Sequence, residues 1–247
     1  MAPKTALQLY SLRDLTKNDY AGIVRQVAAM GYDGVETAGF EGTTVPAAAA
    51  LFKELGLTVV GAHSPFPIGD KKNEILDVSS TFSCKYMVVP HIGPNDTKDM
   101  DALKVLCAKI NEGAANAKER GMAFAIHNHW WEYHLLDGKL VADWMIEMID
   151  PAVLFELDTY WIKVGGVDPA ARVKQIGKRA PLLHIKDGPG NKEAAQTAVG
   201  TGVMDFPAIL KAGGANTEWW IMEADRVDGD ALVAVKQSCD YMKSLLK

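Results

Sequence analysis

Residues 86–129 read YMVVPHIGPNDTKDMDALKVLCAKINEGAANAKERGMAFAIHNH. Two short apolar runs of β-forming residues, 86–91 and 123–129, flank a segment, 98–120, in which apolar residues recur three and four positions apart. Gly121 follows this segment, at the point where a helix commonly ends in a left-handed residue. The stretch therefore predicts a strand, a helix and a second strand, joined as parallel neighbours by a right-handed crossover.

The same alternation continues along the chain. Eight runs read as strands, at residues 5–10, 34–36, 57–63, 86–91, 123–129, 153–158, 182–186 and 219–223. Helical periodicity fills segments between them, among them 20–30, 46–55 and 140–149. Eight such units in roughly 250 residues are typical of a closed (β/α)8 TIM barrel, so we predict one α/β domain over residues 1–247. An open doubly wound sheet is the alternative, but residues 10–14 lack the glycine-rich dinucleotide fingerprint.

Composition excludes several classes of function. The chain of 247 residues has no run near the ~18 apolar residues that a membrane span needs. Its 31 acidic and 26 basic residues give a charge of −5 without a Lys/Arg cluster, so we expect neither nucleic acid nor a membrane as a partner. Three widely spaced cysteines indicate no disulfide framework. The N-terminus shows no export signal, which predicts a cytoplasmic protein, although a chain trimmed of its signal would look the same.

The titratable side chains cluster at the C-terminal ends of the predicted strands. All six histidines lie there, and they are His63, His91, His127, His129, His134 and His184. Three carboxylates share this placement: Glu36, Asp158 and Glu223. Active sites of (β/α)8 barrels are built at this end of the strands. The pattern therefore predicts a polar site at the mouth of the barrel.

Strand alternation sharpens this prediction. In the fifth strand, Ala125, His127 and His129 fall on one face, whereas the bulky Phe124 and Ile126 fall on the other. Unpaired imidazoles and carboxylates are costly to bury, and a metal ion would satisfy several of them together. A mixed nitrogen and oxygen set suits Mn, Zn, Co or Fe, whereas Mg prefers oxygen ligands. We therefore expect one divalent metal ion at the mouth.

Several motifs resemble one known superfamily. They are LQLYSLRD at residues 7–14, GYDGVE at 31–36, HNHWWEY at 127–133, FELDTYW at 155–161 with GVDP at 166–169, PLLHIKD at 181–187, VGTGVMDFPAIL at 199–210 and IMEADR at 221–226. Together they resemble the xylose-isomerase-like barrels, and within them a bacterial subgroup of sugar phosphate isomerase/epimerases. The superfamily also holds inosose dehydratases and apurinic-site endonucleases. The resemblance covers essentially the whole chain.

The resemblance implies a set of metal ligands. Ketose epimerases of this superfamily hold their metal by a Glu of strand five, an Asp of strand six, a His of strand seven and a Glu of strand eight. Three of these positions carry over directly: Asp158, His184 and Glu223. Strand five departs from the pattern, and we take His127 as its ligand, with His129 or Glu132 as the alternatives.

The departure at strand five bears on mechanism. In the ketose epimerases, the strand-five and strand-eight glutamates act as two bases on opposite faces of one carbon. A metal-bound imidazole retains little basicity, so a one-base reaction fits this chain better, with Glu223 or Glu132 as the base. Lys186 and His63 would then stabilise an oxyanion or protonate a leaving group. Such chemistry could isomerise an aldose and a ketose, dehydrate a polyol or eliminate an aglycone from an oxidised sugar.

Six residues are candidate substrate contacts, and they are Tyr10, Glu36, His91, His129, Trp161 and Asp187. Trp161 stands where the ketose epimerases carry a substrate-contacting His, and its indole would stack on a sugar ring or pack in the core. Glu36 would alternatively pair with Arg13, and we expect Glu156 to form a buried salt bridge rather than to act in catalysis. Gly200 and Gly202 offer a weak signal for phosphate binding.

We therefore expect a metal-dependent isomerase or epimerase of a small sugar, sugar phosphate or polyol. The alternatives are a lyase, dehydratase or hydrolase acting on keto-sugars or inososes, and a non-catalytic sugar-binding barrel. An apurinic-site endonuclease is disfavoured because the chain lacks a basic groove and enough histidines for a zinc cluster. The identity of the sugar and the oligomeric state are left open, and a homo-oligomer is compatible with the sequence.

Overall fold

The computed structural model describes residues 2–247 and contains a closed barrel of eight parallel strands. These strands are β1 (Lys4–Gln8), β2 (Gly34–Thr37), β3 (Thr58–His63), β4 (Tyr86–Val89), β5 (Ala123–His127), β6 (Leu154–Asp158), β7 (Leu182–Ile185) and β8 (Trp219–Met222). Each strand pairs with its neighbours in sequence, and β8 closes the ring by pairing with β1. The predicted fold class is confirmed.

The α-helices of the described residues lie in the crossover connections, except for the last one, which follows β8. They are α1 (Arg13–Met30), α2 (Val45–Glu54), α3 (Lys72–Thr81), α4 (Met100–Glu119), α5 (Val141–Met148), α6 (Thr159–Val164), α7 (Pro169–Ile176), α8 (Phe206–Gly213) and α9 (Ala231–Leu245). Local sequence fixes several starts, because Thr44, Asp99 and Asp230 accept hydrogen bonds from the first free backbone N–H groups of their helices. The connection between β6 and β7 contains two helices.

Three strands end two residues earlier than predicted, and each early end has a local cause. β1 ends at Gln8 because its side-chain Oε1 accepts from the Tyr10 backbone N–H and starts a 3-10 turn. β4 ends at Val89 because Pro90 follows it and has no N–H to donate. β5 ends at His127 because the Asn128 side chain accepts from the Asp158 N–H at 3.1 Å, where a ladder carbonyl would otherwise stand.

A short antiparallel hairpin that was not predicted, Leu135–Leu136 with Lys139–Leu140, lies outside the barrel sheet, between β5 and α5.

Two apolar layers hold the fold together. The larger one packs the helices against the outer face of the barrel and includes Phe124 and Ile126. The smaller one fills the interior and consists of Ala6, Val60, Tyr86, Val88, Ala125, Leu182, Trp219 and Ile221. The predicted alternation in β5 is thus confirmed, with Ala125 inside and its bulky neighbours outside. Closer to the C-terminal ends of the strands, the interior positions change from apolar to polar residues.

Candidate active site

Four side chains meet at the C-terminal ends of the last four barrel strands. His127 ends β5, Asp158 ends β6, His184 lies in β7, and Glu223 directly follows β8. Each offers one ligand atom, and these four atoms all lie within 4.8 Å of one another. All four side chains are buried, with at most 5% of any residue exposed. We call this set the mouth quartet, and it contains the same four residues that the sequence nominated as metal ligands.

The donor chemistry of the mouth quartet fits a divalent cation. It offers two imidazole nitrogens and two carboxylates, a set that suits Zn²⁺, Mn²⁺, Co²⁺ or Fe²⁺. His127 Nε2 lies 3.7 Å from Asp158 Oδ2, and His184 Nδ1 lies 2.7 Å from Glu223 Oε2. Asp158 Oδ2 is buried and accepts no hydrogen bond, although Lys186 Nζ lies 3.0 Å away, so it can offer a lone pair to a ligand bond. The residues present could therefore hold a metal ion.

Lys186 supplies a cation beside the quartet. Its Nζ lies 3.0 Å from Asp158 Oδ2, 2.8 Å from Glu223 Oε2 and 2.7 Å from Asp225 Oδ2. Burial alone would lower the pKa of Lys186, but these three carboxylates outweigh burial and hold the pKa well above its usual range. Lys186 therefore stays protonated and acts as a charge or a proton donor, not as a base. It is 1% exposed, so a solvated lysine at the rim is excluded.

Lys186 affects the charge state of Glu223, and Glu223 in turn affects that of His184. Burial would raise the pKa of Glu223, but Lys186 and His184 outweigh it and keep the pKa well below its ordinary value. Glu223 is therefore ionised at neutral pH. Burial would lower the pKa of His184, but Glu156 and Glu223 hold it well above its usual range. A divalent cation at the quartet would compete with the proton on His184.

A second group of four residues lies against the mouth quartet and shares His184 with it. This deep cluster comprises Glu36, His63, Glu156 and His184. Glu36 and Glu156 are fully buried, and their Oε2 atoms lie 2.8–3.1 Å from the Nε2 atoms of His63 and His184. These are hydrogen-bond distances. The predicted buried pairing of Glu156 thus agrees with the structure.

The alternative pairing of Glu36 with Arg13 is wrong. The Arg13 guanidinium instead donates to the backbone carbonyls of Tyr10 and Asp225, and it stacks over the Tyr10 ring at 4.1 Å. Glu36 accepts from the Gln8 amide at 2.8 Å and from the deep-cluster imidazoles. It therefore lies beneath the site, and a direct contact between Glu36 and a substrate is not favoured by this geometry.

A cavity of about 780 Å³ opens above the quartet. Its walls come from loops after β1 to β5 and β8, and the lining residues are Tyr10, Ala38, Gly39, His63, Ser64, Pro65, Phe66, Val89, Pro90, His91, His127, His129, Glu223 and Asp225. Small-molecule sites typically measure roughly 300–1,000 Å³. The cavity therefore has room for a sugar, and it brings three predicted substrate contacts, Tyr10, His91 and His129, to its wall.

His129 is a neutral imidazole at this wall. Burial is the main cause that lowers its pKa, and its neighbours His127 and Lys186 lower it further. The ring stacks on Trp131 with centroids 4.3 Å apart, and its buried Nδ1 has no hydrogen-bond partner. His129 lies beyond the end of β5, so the strand alternation used to predict its orientation does not apply to it. Its ring centroid nevertheless lies 5.1 Å from that of His127. A substrate hydroxyl could satisfy the free nitrogen.

Glu132 does not line the large cavity. It sits in the 3-10 turn Trp131–Tyr133 and lines a separate buried cavity of about 20 Å³, between β5 and the helices. Burial raises the pKa of Glu132 to about 8, so the side chain carries a proton at neutral pH. One carboxyl oxygen accepts from the His129 backbone N–H at 2.9 Å. This placement does not favour Glu132 as the base or as a metal ligand.

Trp161 and His63 differ in their access to the cavity. Trp161 is buried, and its ring packs against Trp130 at 4.6 Å and beneath Lys186 at 5.2 Å, so it supports the site from behind. His63 lines the cavity, but its Nδ1 lies 3.0 Å from Gln8 Nε2 and its Nε2 lies 2.9 Å from Glu156. Direct proton transfer from His63 to a substrate would require one of these contacts to break.

Asp187 organises a loop. Its two carboxylate oxygens accept hydrogen bonds from the backbone N–H groups of Gly188, Gly200, Gly202 and Met204. The two glycine N–H groups that the sequence offered to a phosphate are therefore already paired within the protein. Asp187 is 1% exposed, and this geometry does not favour a contact between it and a substrate.

Sequence reasoning missed three amides that support the site. Gln8 contacts Glu36 and His63, Asn128 exchanges hydrogen bonds with the backbone of Asp158, and Gln196 donates to Asp225 at 3.0 Å. Gln8 and Asn128 lie at or just after strand ends, as the predicted site residues do. A search that included uncharged amides at these positions would have found both of them. Gln196 lies in a long loop and carries no such signal.

A model of the xylose isomerase-like TIM barrel family matches residues 24–245. The fold is similar to that of a sugar phosphate isomerase/epimerase from Parabacteroides distasonis, at 26% identity and a TM-score of 0.83, over 99% of this chain and 100% of that one. It is also similar to an L-ribulose 3-epimerase at 16% identity and a TM-score of 0.76, over 99% and 94% of the two chains. A probable 3-DHS dehydratase from Bacillus anthracis has 12% identity and a TM-score of 0.75, over 97% and 98%.

No match was found among curated proteins. None of the helices within residues 2–247 is both long enough and apolar enough to cross a membrane.

Proposed function

Because the chain belongs to the xylose isomerase-like TIM barrel family, we propose that it is a divalent-metal-dependent isomerase or epimerase of a sugar or sugar phosphate. The observation that carries the proposal is the mouth quartet, buried below a cavity of sugar size. The relative from Parabacteroides distasonis supports it, since it is a sugar phosphate isomerase/epimerase that aligns over its full length.

The metal ion would be held by the two histidines and two carboxylates of the mouth quartet. When bound, it supplies a Lewis acid next to the cavity. The mixed donor set favours Zn²⁺, Mn²⁺, Co²⁺ or Fe²⁺ over Mg²⁺.

Glu223 is the base in this proposal. It is ionised, it lines the cavity, and a carboxylate has a second oxygen that can face the substrate. Lys186 lies 2.8 Å from Glu223 and carries the positive charge that would stabilise an oxyanion near the quartet. His127 offers no second base, because its Nδ1 faces Glu156 and its Nε2 faces Asp158. This arrangement supports one-base chemistry, with abstraction of the proton beside a carbonyl.

A lyase is the second candidate, because a single base also suffices for an elimination. Removal of a proton beside a carbonyl is the first step both of isomerisation and of elimination from a keto-sugar. Elimination also needs a leaving group on the neighbouring carbon, on the side of the deprotonated carbon away from the carbonyl, whereas isomerisation does not. The cavity of about 780 Å³ leaves room for such a group beside one sugar ring.

The proposed function is tested by deuterium incorporation. The protein is incubated with Mn²⁺ in D₂O and a panel of free, phosphorylated and 3-keto sugars, the metal is removed by a chelator, and the products are read by NMR. We expect deuterium at the carbon beside a carbonyl and an isomer or epimer of the substrate. Loss of water or of an aglycone would make the protein a lyase. Sugar-dependent thermal stabilisation without deuterium incorporation would leave a non-catalytic sugar-binding barrel.

The ligand of β5 has a test of its own. His127→Ala should lower the affinity for Zn²⁺, because His127 Nε2 points into the quartet. His129→Ala should keep that affinity and alter turnover or substrate binding, because His129 lies at the cavity wall and outside the quartet. Competition with a chelator measures both affinities. The reverse result would assign the ligand to His129, and unchanged affinity in both variants would remove these two histidines from the site.

A further inference from the structure

Glu156 makes an unusual set of contacts within the deep cluster. Its single atom Oε2 lies within hydrogen-bond distance of three imidazoles, at 2.9 Å from His63 Nε2, 3.1 Å from His127 Nδ1 and 3.1 Å from His184 Nε2. Glu156 is fully buried on β6, two residues before Asp158, and therefore points to the same face of the strand one repeat deeper. It pairs in the ladder with His127, so the backbone fixes this approach.

These contacts decide which nitrogen of each ligand histidine faces the quartet. A neutral imidazole that donates through one ring nitrogen presents a lone pair on the other. His127 faces Glu156 with Nδ1 and Asp158 with Nε2, at 3.7 Å. His184 faces Glu156 with Nε2 and Glu223 with Nδ1, at 2.7 Å. The two rings thus turn opposite nitrogens towards the same buried carboxylate.

We propose that Glu156 is a positioning residue that sets the ring orientation and the tautomer of both histidines of the mouth quartet. Through it, His127 presents Nε2 and His184 presents Nδ1 to a divalent cation. The role of these nitrogens as ligands rests on the metal site of the proposed function. A carboxylate that accepts from a ligand histidine fixes the ring and strengthens the metal bond, and its loss typically costs ~10–100-fold in metal affinity.

Glu36 provides a matched control. It is also fully buried, and its Oε2 lies 2.8 Å from His184 Nε2 and 3.1 Å from His63 Nε2. The structure records no contact between Glu36 and His127 among the described residues. Glu156→Gln and Glu36→Gln therefore make the same chemical change in the same cluster, and only the first of them touches both histidines of the quartet.

The test reads the tautomers directly. Long-range ¹H–¹⁵N NMR of histidine-labelled protein with Zn²⁺ should show the proton of His127 on Nδ1 and that of His184 on Nε2. Glu156→Gln should disturb the His127 signals and lower the Zn²⁺ affinity by about 10–100-fold. Glu36→Gln should leave the His127 signals unchanged and reduce the affinity less, because Glu156 still holds His184.

Two results would overturn the proposal. The first is the opposite pair of tautomers in the unmodified protein. This result needs no variant, so the proposal can be tested even if Glu156→Gln does not fold. The second is unchanged affinity and unchanged His127 signals in a folded Glu156→Gln protein. Failure of the unmodified protein to bind Zn²⁺ would instead reject the metal site. In that case, the orienting role of Glu156 is tested on the spectra of the metal-free protein. A mixture of His127 tautomers in those spectra would refute this role.

Discussion

Glu223→Gln is expected to lower deuterium incorporation at the carbon beside the substrate carbonyl by about 10²–10⁴-fold, while part of the metal affinity is kept. Glutamine preserves the shape of the side chain and one oxygen that can bind a cation, but it has no basic carboxylate. Glu223 is the carboxylate that belongs to the quartet and also lines the large cavity. The chemical step should therefore suffer far more than metal binding. The measurement is the exchange rate at saturating Mn²⁺, together with the Mn²⁺ affinity.

Asp225→Asn is the matched control for this variant. Asp225 also lines the cavity and also pairs with Lys186, at 2.7 Å, but it lies outside the mouth quartet. Its replacement removes the same charge from the same neighbourhood, so a general electrostatic effect would appear in both variants. A rate of exchange near that of the unmodified protein in Glu223→Gln would show that another group takes the proton. Equal losses of exchange rate in the two variants would show that the loss comes from removing a negative charge beside Lys186.

Asp158→Asn and His184→Ala are each expected to abolish tight metal binding. His184→Ala removes one of the four proposed ligands outright, and Asp158→Asn keeps an amide oxygen but loses the negative charge that a cation would neutralise. Asparagine is preferred to alanine at position 158 because Asp158 Oδ1 caps α6 through the Trp161 N–H at 2.9 Å, and asparagine is a good capping residue. Elemental analysis of the purified proteins should show about one metal ion per chain before substitution and little after it.

The controls for these two variants change similar groups outside the quartet. Glu132→Gln alters another buried carboxyl group, and His91→Ala removes another histidine from the mouth; both should keep their metal. Circular dichroism confirms that each variant is folded. Full metal occupancy in folded Asp158→Asn and His184→Ala proteins would show that these residues are not ligands. Loss of metal in all four variants would indicate that the substitutions disturb the structure of the barrel mouth and do not act by removing ligands.

The sequence by itself determined the barrel and the strand ends at which the quartet lies, but it left His127, His129 and Glu132 as alternatives for the position at strand five. Eight strands alternating with helices can bury their apolar faces only in a few architectures, and all parallel strands of a barrel end at the same rim. His127, Asp158 and His184 lie within predicted strands, where the two-residue period fixes the inward face. Glu223 likewise ends the eighth predicted strand, and the resemblance to ketose epimerases implied that Asp158, His184 and Glu223 are metal ligands. These inferences need no knowledge of the loops.

Tertiary structure alone decided the roles of residues beyond the strand ends. Glu132 follows β5 by five residues and lies within a 3-10 turn, where the two-residue period no longer holds and the carboxyl group lines the small buried cavity instead of the large one. Lys186 is kept charged by carboxylates from β6 and the segment after β8, and Asp187 is held by backbone N–H groups from a distant loop. Glu156 meets imidazoles from three other strands. Such contacts depend on how distant segments approach one another in space, which local periodicity does not encode.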